Sequence, residues 1–173
     1  MDRQPILDDL SERIFRITIK KDLFTESFSG VGVPGCFNPR GLHREMPYVH
    51  ATEANAGLIQ IFAPKGNQVA NAVVLYMNKG AYVYAGYNGT GYNMDRLFAQ
   101  ALIKLTEFVP AVMITPSSAG FDSLKNIAVR RKIKISKPPT IFSSQYVDYG
   151  EVDQAGNITL EEDFYVITKL AKP

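Results

Sequence analysis

Tryptophan is absent, cysteine occurs once, at Cys36, and histidine twice, at His43 and His50. A single cysteine excludes an intrachain disulfide and a cysteine-rich zinc site. An excess of one charge sign is also missing. Lys plus Arg is 19 and Asp plus Glu is 17, a net charge of +2, which gives no reason to expect nucleic acid or a membrane surface as the main partner. No run reaches the ~20 apolar residues of a membrane span. The opening residues, MDRQPILDDLSERIF, carry acids and no apolar core segment, so the expectation is no secretory signal and a reducing, cytoplasmic setting. Internal repeats and low-complexity tracts are lacking as well.

What is present suits an ordinary folded domain. The 173 residues are 46% apolar and 21% charged, close to the globular average. A chain of this length buries roughly 70% of the surface its unfolded form exposes and needs no metal staple. A single domain over 1–173 is expected, with an N-terminal strand and a glycine- and proline-rich segment over 1–56 and a core over 57–173.

Leu7 and Leu10 suggest a short helix over 5–12, and the alternating, β-branched run 13–20 suggests a strand. The stretch 25–47, with Gly30, Gly32, Pro34, Gly35, Pro39, Gly41 and Pro47, reads as one long irregular segment. Strand-like runs at 57–62, 69–77 and 81–86, split by Pro64–Asn67 and by Asn78-Lys79-Gly80, predict an antiparallel meander. Leu97, Phe98, Ala101, Leu102 and Leu105 recur at helix spacing and predict a helix over 94–108, with Asp95 in its first turn. Val112-Met113-Ile114 suits a short buried strand. A second helix, capped by Asp122 or Ser123, is expected to cover Leu124, Ile127 and Ala128, with the basic run 130–134 as its solvated end. Strands at 146–152 and 164–170, joined by a long hairpin over 153–162, close the chain. Helices mixed with a largely antiparallel sheet give an α+β or mixed α/β class.

The junction Val83-Tyr84-Ala85-Gly86-Tyr87-Asn88-Gly89-Thr90-Gly91-Tyr92-Asn93 carries the main functional signal. A strand leads through glycines into a helix, and glycines let backbone approach a ligand closely. A helix start offers unpaired N–H groups to phosphate oxygens. Glycine used for turn geometry alone is the competing explanation. The stretch resembles the acyl-CoA-binding motif of the GNAT acyltransferase superfamily, V-x-P-x-Y-R-G-K-G-[IVY]-G. Val83, Tyr87, Gly89 and Gly91 match; Ala85 stands for the proline, Asn88 for the arginine, Thr90 for the lysine and Asn93 for the last glycine.

The order of elements over about 57–170 is also similar to that superfamily. The resemblance implies a GNAT-like central mixed, largely antiparallel twisted sheet flanked by helices. It implies transfer of an acyl group from acetyl-CoA or another acyl-CoA to an amine of a small molecule or peptide. Val83, Tyr84 and Ala85 would lie along the thioester arm, the segment from Asn88 to Asn93 would hold the pyrophosphate, and Ser117 would be a further cofactor contact. His50 or Glu53 is the expected base toward the amine. Family members often carry a tyrosine general acid on the last helix, and 121–134 contains none. A degenerate, inactive domain of this fold is the non-enzyme alternative, and a homodimer is among the expectations.

A second resemblance is to RES-type, NAD-consuming toxins of the ADP-ribosyltransferase class. It is carried by Phe15-Arg16, Cys36-Phe37-Asn38-Pro39-Arg40-Gly41, Tyr48 and Pro116-Ser117. Cys36 replaces the motif's arginine, and Gln60 sits near the expected glutamate. His43 and His50 with Glu45 and Glu53 show no spacing that enforces metal binding, so both histidines read as ordinary polar loop residues and no metal is expected. Tyr82 and Tyr84 share one side of their strand, as pocket lining or as packing.

Overall fold

The computed structural model describes residues 15–19, 26–31, 33–35, 38–41, 44, 46–89, 94–137 and 151–169. The helix expected at 5–12, Cys36, His43, and the strand residues 146–150 lie outside these.

The described strands are β1 (Arg16–Thr18), β2 (Ala56–Phe62), β3 (Gln68–Met77), β4 (Gly80–Gly89), β5 (Val112–Ile114), β6 (Val129–Lys137), β7 (Glu151–Val152) and β8 (Ile158–Ile167). They form one sheet in the order β1-β2-β3-β4-β5-β8-β6, with β7 also pairing β8. All pairings are antiparallel except β4 with β5. The helices are α1 (Met46–Thr52), α2 (Met94–Leu105) and α3 (Phe121–Leu124). The class is therefore mixed α/β with a large, mostly antiparallel sheet, and the meander of β2, β3 and β4 is as expected. Among the described residues no helix is long and apolar enough to cross a membrane.

Strand β2 is buried along its whole length, so its side chains feed both faces of the sheet. On one face Ile59, Ile61, Ala72, Val74, Val83, Val112 and Ile114 meet Phe98, Ala101, Leu102 and Leu105 of α2, with Leu97 half-buried at the margin. Full burial of side chains such as Phe98 and Leu102 contributes about 1.5–3 kcal/mol each. On the other face Leu58, Val73, Leu75, Tyr82 and Met113 pack with Met46 of α1 and with Ile135, Ile158, Phe164 and Val166.

Four expectations need correction. Helix α2 stops at Leu105 and not at Phe108, which is 70% exposed after a tight terminal turn. Residues 46–52 are helical although Pro47 reads as punctuation, because proline is tolerated in the first turn, where its missing N–H has no helical partner. The second helix is only α3; Ile127 is about half exposed, and the basic run belongs to β6. The last hairpin is also shorter than expected. Asp153 accepts hydrogen bonds from the backbone N–H groups of Ala155 and Asn157 and from Asn157 Nδ2, which closes the turn, and β8 starts at Ile158.

Most of the basic run is matched across the ladder. Lys134 stands opposite Glu161 and Lys132 opposite Asp163, and Arg130 pairs with Asp163 at 2.9 Å. Arg131 stands opposite Phe164, so Asp163 and Glu161 offset Arg130, Lys132 and Lys134 but leave Arg131 without an anion directly across the ladder.

Candidate functional site

Strands β4 and β5 run together for only two register pairs, Ala81 with Val112 and Tyr82 with Met113. Just beyond, β4 is irregular against β3. Val73 faces Tyr84 and Asn71 faces Asn88, so β3 advances two residues while β4 advances four. The two extra residues fall in 85–87 and bend β4 at the point where it leaves β5. Past the end of β5 the ladder is interrupted, which leaves a gap in strand pairing bordered by β4 on one side and β8 on the other and approached by the turn after β5.

The floor of this gap is polar. Ser118 Oγ donates to the Val83 carbonyl at 2.6 Å and accepts from the Thr115 N–H at 2.9 Å. Thr115 Oγ1 and Ser117 Oγ lie 3.0 Å apart. Gly86 on the bent strand is exposed, and a Cβ there would meet only the Ser117 carbonyl oxygen, at 3.7 Å. Asp95 of α2 secures the turn after β5: its carboxylate accepts from the Gly120 N–H at 2.8 Å, the Ser123 N–H at 2.9 Å and Ser123 Oγ at 2.8 Å.

The walls on the face away from α2 are aromatic. The rings of Tyr82 and Tyr84 meet edge to face at 6.4 Å, and Tyr82 meets Phe164 in the same way at 5.5 Å. Glu162 precedes Phe164 by two on β8, so it projects from the same face. Its carboxyl is held above the usual glutamate value by burial. Burial first, then the charge of Glu162 and then Tyr84, push the Tyr82 phenol far above the ordinary tyrosine range. A carboxyl that resists ionisation beside the raised phenol of Tyr82 is a pairing found at proton-transfer sites and also in structural networks.

The residues singled out from sequence fall in several places. Val83, Tyr84 and Ala85 lie on β4 at the gap, and Ser117 lies in its floor. Asn88 and Gly89 are not loop residues but the end of β4. Asn88 Nδ2 donates to Asn71 Oδ1 at 3.0 Å. Gly89 has φ +126, and a Cβ there would collide with the Val69 carbonyl oxygen and lie 2.8 Å from Ala70 Cα, so packing on β3 already demands glycine. Thr90, Gly91, Tyr92 and Asn93 are outside the described residues.

His50 is fully buried on α1, a correction to its expected place in a polar loop. Glu53 is also buried, 3.8 Å from Lys137 Nζ, and accepts from the Asn55 N–H. Arg16 is exposed and stacks 4.2 Å above the Phe62 ring on β1, while Ser117 follows β5; β2, β3 and β4 separate them. The structure does not bring that pair together. Among the described residues no group of three or more His, Cys, Asp or Glu side chains is placed to hold a metal ion.

Glu162 escaped sequence reasoning, although a signal was there. Leu160, Glu162, Phe164 and Val166 alternate along β8, and an acid inside an otherwise apolar inward row is out of place for packing alone. No protein-family model matches the chain, and no curated protein matches it.

Proposed function

We propose that the chain is an acyl-CoA-dependent N-acyltransferase with a GNAT-like fold, acting on an amine of a small molecule or peptide. The observation that carries this reading is the parting of β4 from β5 at a two-residue bulge, directly before the glycine-containing segment and α2. The ladder with β5 ends at Tyr82. The pantetheine arm of CoA carries two amides and pairs with a strand edge of this kind as an added strand does. The run from Asn88 to Asn93 then carries the pyrophosphate toward the start of α2. The element order, from meander through α2, β5 and α3 to the closing strands, supports the same reading.

In this scheme the base moves from His50 or Glu53, which are buried under α1, to Glu162. The amine arrives at the gap from the aromatic face. Glu162 takes its proton, the nitrogen attacks the thioester carbonyl, and the tetrahedral intermediate collapses. The departing thiolate takes a proton from Tyr84 or from water. With no tyrosine in 121–134, Tyr84, directly before the bulge and on the aromatic face, is the candidate; Tyr87 within the bulge packs on Phe98 of α2 at 5.1 Å. Ser118 holds the Val83 carbonyl, so the base of the gap keeps its width while the reacting groups come and go.

Calorimetric titration with CoA and with acetyl-CoA, followed by assay of acetyl transfer to simple alkylamines, tests the proposal. Binding that saturates below millimolar CoA, with transfer that depends on Glu162, is expected. Absence of heat at millimolar CoA overturns it and leaves a partner-binding domain.

A further inference from the structure

The described residues of 26–47 include two that are pinned against β2 and β3 by polar bonds. Glu26 Oε1 accepts from the Leu58 N–H at 3.0 Å. The Ser29 carbonyl accepts from Gln68 Nε2 at 2.6 Å and from Asn71 Nδ2 at 2.9 Å. Both anchors are buried, with Glu26 and Ser29 at 1% and 0% exposure. Among these residues lies an open surface pocket of about 200 Å³, lined by Ser27, Gly30, Val31, Pro39, Arg44 and Pro47, of which Val31, Pro39 and Arg44 are exposed.

Its chemistry is lopsided. Val31, Pro39 and Pro47 give apolar walls, and Arg44 gives one cation. Arg44 makes no ion pair with any described residue. The same segment leaves Phe28, Val31 and Tyr48 exposed at 56%, 57% and 59%. Val31 is itself part of the lining, Phe28 follows Ser27 and Tyr48 follows Pro47, so the exposed apolar residues belong to the lining or adjoin it in sequence. Apolar surface left at the mouth of a concave site marks a place where something binds.

We infer that this cavity is a binding site for a small monocarboxylate with an apolar body, its carboxylate on Arg44 and its body against Val31, Pro39 and Pro47. A guanidinium presents a planar fork that matches a carboxylate with two parallel hydrogen bonds. The volume is below the roughly 300–1,000 Å³ of drug-sized sites, so the ligand is a single ring or a short chain. A bare phosphate would leave the apolar walls wet, and a neutral apolar molecule would leave the cation unmatched. None of its lining residues lies on β4, β5 or β8, and its test does not depend on acyl transfer.

Benzoate titrated into the whole chain, followed by ligand-observed NMR, is the probe, with benzyl alcohol and inorganic phosphate as controls. Benzoate is expected to bind in the millimolar range or tighter. Arg44→Met is expected to weaken it by about tenfold or more, the loss of one charge-assisted contact. Val31→Asp, at an exposed wall position, is expected to weaken it similarly without lowering the melting temperature. The proposal is overturned if benzoate does not bind at about 10 mM, if Arg44→Met binds as well as wild type, or if either control matches benzoate. Loss of CoA binding in the same samples would bear on the acyltransferase proposal alone.

Discussion

Lys137 at the end of β6 and Glu53 just after α1 face each other at 3.8 Å, with side-chain exposures of 0% and 3%. The pair ties the layer that covers the sheet to the strand at its edge. Burial holds the Lys137 ammonium below the ordinary lysine value of 10.5, and Glu53 pulls it back up. Removing one partner strands the other charge out of water. Lys137→Met is expected to cost about 3–5 kcal/mol, and Lys137→Met with Glu53→Leu to recover most of it. Denaturant melts of the two variants check this. The pH dependence has a definite sign. The folded state releases this proton more readily than the unfolded state, so Lys137 makes the chain more stable as pH rises from its folded value toward 10.5. That slope should vanish in Lys137→Met.

Gly86 and Gly89 are three residues apart on β4 and predict opposite outcomes. Gly89→Ala places a Cβ against the Val69 carbonyl at φ +126, so it should destabilise the fold by about 1–3 kcal/mol. Gly86→Ala meets only the Ser117 carbonyl oxygen, at 3.7 Å, and should melt like wild type. Gly86→Leu should also fold but fill the gap, removing CoA binding. A Gly86→Leu protein that folds and still binds CoA would place the thioester arm elsewhere.

Asp95 joins α2 to the turn after β5 through three hydrogen bonds. Asp95→Asn keeps the shape but loses the charge and one acceptor oxygen. It should cost about 1–2 kcal/mol, in the range of a lost helix cap. Hydrogen exchange should show the loss as faster exchange at Gly120 and Ser123, while the amides of β3 remain protected. Uniform loss of protection would mean that Asp95 supports the whole domain.

Much of this architecture was legible because period and burial agreed. The alternation around Leu58-Ile59-Gln60-Ile61 and the helix spacing of Phe98, Ala101, Leu102 and Leu105 have few other solutions. The misses share one cause: a strong local signal masked a weaker one. Pro47 hid α1, and the cations of 130–134 hid the inward Ile133 and Ile135 of β6. At the site, the glycines of 86–91 drew attention to the strand end, but Gly89 serves the sheet. The parting of β4 from β5 depends on pairing between distant segments, which local spacing does not carry. Glu162 was hidden for the same reason, since its neighbours across the gap come from β4.

Glu162 is where stability and activity should part. Burial raises its carboxyl pKa above the ordinary value of 4.5, so the folded state holds the proton more tightly than the unfolded state. Its contribution is therefore most favourable below pH 4.5 and is lost as pH rises through the folded value. A neutral amide removes that loss. Glu162→Gln should melt higher than wild type at neutral pH and match it more closely in acid. If Glu162 is the base, the same substitution should lower acetyl transfer by about 10²–10³-fold and leave CoA binding intact. It should also remove the rising acid limb of kcat/KM, which in wild type would lie above 4.5. A base must be ionised to accept a proton, so in that role Glu162 would cost stability at the pH where it acted. Calorimetric melts across pH, set beside pH–rate profiles of both proteins, provide the measurement. A Glu162→Gln variant that is stabilised yet fully active would make the carboxyl a passive wall of the gap and remove it as the base.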